Sequence, residues 1–81
     1  MSEARARLAW SCRRGMLELD LLLNGFLDHG YARLTPEQQT VFQRLLGCED
    51  QDLFAWLLGH AQSPDPDLQA MVRLVRDDRA P

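Results

Sequence analysis

Eighty-one residues give room for one domain with a thin core, and little room for a deep substrate cavity. The formal net charge is −3 and all nine basic residues are arginine, which argues against bulk nucleic-acid binding, since that relies on a dense positive excess. The charge is unevenly spread: Arg5, Arg7, Arg13 and Arg14 crowd the first segment while acids dominate from Glu49 to Asp67, a layout suited to a protein partner with complementary patches.

Apolar residues recur at helical spacing throughout, and no stretch alternates as a strand would, so the expected fold is all-α, a compact five-helix bundle with short connections. The first helix is expected from about Ala4 to Arg13, with Gly15 as a left-handed terminator and Arg13 and Arg14 complementing the negative end of its dipole. The second runs from about Met16 to His29 and stops at Gly30; Leu19, Leu22, Leu23, Phe26 and Leu27 form its core stripe. Thr35, Pro36 and Gln38 spell a capping box that opens the third helix, whose apolar face is Val41, Phe42, Leu45 and Leu46 before Gly47. The fourth begins near Asp50 and carries Leu53, Trp56 and Leu57 before Gly59. The fifth takes Asp65 as cap and Pro66 in its first turn, then Leu68, Met71, Val72 and Val75. Residues 1–81 thus form a single helical domain, with 1–3 and 77–81 expected to fray.

Catalytic equipment is sparse. His29 and His60 each adjoin a helix-ending glycine, where an imidazole complements the dipole, and neither has a Ser, Cys or acid at a recognisable catalytic spacing. Cys12 and Cys48 form no CxxC pair and read as reduced, buried, small apolar side chains, so neither a disulfide framework nor a zinc site is expected. There is no glycine-rich phosphate loop. No apolar run approaches the roughly 20 residues that span a bilayer, and no signal-peptide pattern opens the chain. The expectation is a cytoplasmic binding protein: no enzyme, no metal, no cofactor of its own.

The junction RRGMLELD, Arg13 to Asp20, is the most informative segment. Local physics explains it structurally, with Gly15 breaking the backbone, arginines capping the first helix and Glu18 at the positive end of the second. Helical geometry adds a second reading. At about 100° per residue, Arg7, Trp10 and Arg14 share a narrow sector of the first helix, turned away from Leu8 and Cys12. Trp10 is then either a binding anchor beside two arginines or a lid on the core edge with arginines stacked on it. Leu17 and Leu21 also leave the main stripe, either to be covered by another helix or to extend an exposed apolar patch.

With those residues in view, the chain resembles the SdhE family of succinate dehydrogenase flavinylation factors. The motif is Arg14-Gly15-x-x-Glu18 within CRRGMLELD, supported by ARLAWSCRRGM, VFQRLLGCEDQDLFAWLLGH and LQAMVRLVR in the expected order. The resemblance implies a five-helix assembly factor that binds the flavoprotein subunit of succinate dehydrogenase, and in bacteria often that of fumarate reductase. It promotes covalent attachment of FAD to a histidine of that subunit, so the FAD belongs to the partner. The docking residues it implies are Arg7, Trp10, Arg14, Gly15 and Glu18, with Asp20 beside them. Arg7 and Arg14 would pair with partner carboxylates, and Arg14→Ala would leave the fold intact. The competing functions are an antitoxin-type interaction module and a small DNA-binding domain.

Overall fold

The computed structural model describes residues 3–78, with five α-helices: α1 Glu3–Ser11, α2 Leu17–His29, α3 Pro36–Leu46, α4 Asp50–Leu57 and α5 Pro66–Asp78. A single 3₁₀ turn, Tyr31–Arg33, lies between α2 and α3, and there is no strand among the described residues. The all-α bundle expected from the periodicity is what forms. Glu3 already lies in α1, and Asp77 and Asp78 complete α5, so those three positions are helical where fraying was expected. Residues 1–2 and 79–81 lie outside the described residues.

Each helix buries the stripe its spacing dictates. From α2, Leu19, Leu22, Leu23, Phe26 and Leu27 enter the core, and from α3 Phe42, Leu45 and Leu46. Leu53 and Leu57 follow from α4, and Leu68, Met71, Val72 and Val75 from α5. Burying one such side chain stabilises the fold by roughly 1.5–3 kcal/mol, so a core of this size withstands few deletions. Val41 and Trp56 only reach half-burial at its edge. The helix α5 is the hub, packing against α2, α3 and α4, while α1 lies on α2.

The caps follow the sequence closely. Thr35 accepts from the Gln38 backbone N–H at 3.1 Å, and the Gln38 side chain accepts from the Thr35 N–H at 2.9 Å, closing the capping box. Asp65 Oδ1 accepts from the N–H groups of Asp67 and Leu68 at 2.9 and 3.3 Å, opening α5. Its other oxygen takes a 2.7 Å ion pair from Arg44, fastening the end of α3 to the start of α5.

Two features escape local pattern reading. The 3₁₀ turn sets the Tyr31 ring 5.4 Å from Phe42, which in turn lies 5.3 Å from Phe26, giving a short aromatic row. Gly30 ends α2 with ordinary right-handed geometry, φ −104. What requires glycine there is the Phe26 ring, since a Cβ would stand 2.5 Å from its Cε1.

Candidate functional site

The corner between α1 and α2 begins two residues earlier than the spacing suggests. The helix α1 ends at Ser11, and the chain then closes tight turns, with the Cys12 N–H bonded to Leu8 O and the Arg13 N–H to Trp10 O at 3.0 and 3.1 Å. Cys12 goes fully into the core. Gly15 does adopt the left-handed conformation, φ +78, but as the pivot into α2 rather than as the end of α1. It is exposed, with nothing within 4 Å of where a Cβ would be.

This break corrects the reading of Arg14. Because the helix stops at Ser11, Arg14 does not continue the sector of Arg7 and Trp10; it turns inward, and its side chain is only 15% exposed. One guanidinium nitrogen pairs with Asp50 Oδ1 at 3.3 Å, and the other donates to the carbonyl of Leu46, the last residue of α3. Its Nε is buried without a hydrogen-bond partner. Arg14 therefore satisfies an orphan carbonyl at one helix end and an acid in the first turn of the next. The Arg14 backbone N–H donates to Asp20 Oδ1 at 2.5 Å, so Asp20 ties the incoming strand of the corner to α2, whose N-cap residue, Met16, supplies no side-chain cap. Glu18 is exposed and forms no ion pair among the described residues.

What remains on the outside is apolar and aromatic. Trp10 is 74% exposed, Leu17 72% and Leu21 66%. Trp10 is thus no lid on the core, and no helix covers the two leucines. An arginine does stack on the indole, but it is Arg13, with its guanidinium carbon 5.7 Å from the ring centroid. Arg13 also lines a shallow groove along α2 with Asp20, Leu21, Asn24, Gly25 and Asp28, so it joins the indole to the leucine pair. Arg7 stands 80% exposed, held only by a 3.5 Å pair to an equally exposed Glu3, an interaction that water screens almost completely. The corner thus carries an exposed indole near the end of α1 and two exposed leucines in the first turns of α2, on either side of a bare backbone pivot, with Arg7, Arg13 and Glu18 also exposed. Large apolar side chains exposed together on a small protein make this corner the candidate site. Arg13 is the member missed in the sequence, where it reads as a dipole-complementing residue of a longer helix.

The other polar candidates are occupied within the fold. His29 Nδ1 bonds the Gly25 carbonyl at 2.9 Å, and the His60 ring packs edge-on to Phe54 at 5.9 Å between centroids. Neither cysteine forms a disulfide. Cys12 is buried as expected, whereas Cys48 is only half-buried, because it follows the α3 terminus instead of facing the core. Burial and then Asp52 push the Cys48 thiol above its ordinary pKa, which keeps it protonated and a weak nucleophile. Among the described residues no cluster of three or more His, Cys, Asp or Glu is arranged to hold a metal ion. Among them also, no helix is long and apolar enough to cross a membrane.

Comparison with known proteins gives this surface a context. Residues 6–79 match the family model described as flavinator of succinate dehydrogenase, Sdh5. The chain belongs to this family. Among curated relatives, the FAD assembly factor SdhE of Shewanella oneidensis is 54% identical over 76 residues, covering 94% of this chain and 93% of that protein. The FAD assembly factor SdhE of Idiomarina loihiensis is 51% identical over 71 residues, covering 88% of this chain and 79% of that one. That of Colwellia psychrerythraea is also 51% identical over 71 residues, with 88% and 78% covered. The family is one of assembly factors for succinate dehydrogenase flavinylation, not of catalysts, in agreement with the sequence reading.

Proposed function

We propose that this chain binds the flavoprotein subunit of succinate dehydrogenase in the cytoplasm and promotes covalent attachment of FAD to it, with the α1–α2 corner as the docking surface. The observation that carries the reading is the grouping of exposed Trp10, Leu17 and Leu21 around the left-handed Gly15 in a chain of the flavinator family. Trp10 and the leucines supply the apolar anchor, while Arg7, Arg13 and Glu18 at the rim set orientation. Gly15 lets a partner backbone approach closely. Arg14 and Asp20 shape this surface from behind: their side chains hold the corner in place rather than reaching across to the partner.

A factor of this kind need not supply a reacting group. Holding a flavoprotein so that its own nucleophile and its flavin stay aligned lowers a barrier by pre-organisation alone. FAD thus stays with the partner. The flavoprotein of fumarate reductase is a second proposed client and is open to the same test.

The test is genetic and optical. In cells deleted for the gene, the ultraviolet fluorescence of covalent flavin on a denaturing gel should fall at the size of the flavoprotein subunit. The wild-type chain should restore it and Trp10→Ala should not. Undiminished flavin in the deleted cells overturns the function; full restoration by Trp10→Ala overturns the surface.

A further inference from the structure

Resting on the docking reading just given, we infer that the partner surface extends from the corner along the outer face of α2 as far as Gly25 and Asp28, and that it receives a helical segment of the flavoprotein carrying an apolar side chain followed by basic ones.

Three observations lead there. Leu17 and Leu21 are one helical turn apart on the exposed face, and Gly25 continues the same i, i+4 series. Gly25 has no explanation inside the molecule. It sits mid-helix with an ordinary backbone, and a Cβ built on it would meet nothing within 4 Å. Glycine in a helix interior is unfavourable relative to alanine, and here no internal neighbour demands it. The groove it lines runs from Arg13, which stacks on Trp10, through Leu21 and Asn24 to Asp28.

The charge along the groove names the occupant's chemistry. At the Trp10 end the cation is Arg13, already stacked on the indole; further along, past Asp20, which holds the Arg14 N–H, the groove ends at the acidic side chain of Asp28. A partner helix laid along α2 places an apolar residue over Leu17 and Leu21. Its backbone descends at Gly25, where α2 has no side chain to hold it off, and its lysine or arginine side chains meet the acidic end.

The experiment titrates purified flavoprotein subunit of succinate dehydrogenase with the full chain and its Gly25→Ala, Gly25→Leu, Asp28→Arg and Trp10→Ala variants, measuring Kd beside melting temperature. Gly25→Ala should raise the melting temperature by about 2–6 °C, because the fold does not need glycine there. Gly25→Leu and Asp28→Arg should keep the wild-type helical spectrum yet bind at least about tenfold more weakly, a loss of about 1.4 kcal/mol. Raised salt should weaken wild-type binding more than that of Asp28→Arg. Wild-type affinity in Gly25→Leu and Asp28→Arg while Trp10→Ala fails overturns the extension along α2 and leaves the corner standing. Absence of wild-type binding overturns both.

Discussion

Arg14 grips Asp50 across 36 positions of the chain, so that the corner between the first two helices is fastened to the junction between α3 and α4. The same guanidinium closes the last carbonyl of α3 at Leu46. A motif arginine that looks exposed in the sequence is thus an internal staple. It positions the backbone from which Gly15 and α2 depart.

Arg14→Ala should therefore destabilise the fold by roughly 1–3 kcal/mol, because it strips the partner from a helix-end carbonyl and from an acid at once. Arg14→Lys should recover only part of this, since an ammonium cannot reproduce the two-pronged geometry. Urea denaturation of the purified variants measures both. An Arg14→Ala protein as stable as wild type would return the guanidinium to the docking surface.

Trp10→Ala should behave in the opposite way. With the indole 74% exposed, stability should change by less than about 0.5 kcal/mol, while covalent flavin on the partner should fall several-fold. Parallel denaturation curves and gel fluorescence separate the two effects.

Gly15 permits a graded experiment. Its φ of +78 makes any side chain costly, by about 1 kcal/mol, yet the space around it is open. Gly15→Ala should lose that much stability and retain most flavinylation. Gly15→Arg should lose a similar amount of stability but abolish flavinylation, because its bulk stands where the partner approaches.

Acid sensitivity should report on Asp65. The Arg44 hydrogen bond first, and the Leu68 N–H next, hold its carboxyl below the ordinary range. A folded pKa below the unfolded one means that the stabilisation is complete above the unfolded value of about 3.9 and is lost as pH falls through the folded value. The melting temperature of Asp65→Asn should lie below that of wild type at neutral pH. The gap should narrow below about pH 4.

Phe26→Ala removes a ring that packs on Phe42 and over Gly30, and should cost about 3–5 kcal/mol. For an 81-residue chain that is a large share of the whole stability, so loss of the cooperative thermal transition is the expected readout.

The helices from α2 onward were legible because their apolar stripes, the Thr35–Gln38 box and the Asp65 cap are all local patterns. The 3₁₀ turn at Tyr31 was not, being set by a ring stacking on Phe42. At the candidate site, sequence spacing singled out Trp10 and the odd leucines but left their exposure open. It misplaced Arg14 because a helical wheel assumes a continuing helix, whereas α1 ends at Ser11. Partners 32 and 36 residues away at Leu46 and Asp50 leave no mark on local periodicity. Arg13 was read as a dipole partner, although its i, i+3 spacing from Trp10 already places the two side chains side by side.

Because α5 is the strut on which α2, α3 and α4 all lean, order of synthesis matters for this molecule. A nascent chain lacks the buried stripe Leu68, Met71, Val72 and Val75, and with it the packing of α2, α3 and α4 on α5, until the last helix has left the ribosome. A polypeptide that stops short of Pro66 is therefore not a weaker version of this fold but an unfinished one, and quality-control proteases become its first encounter.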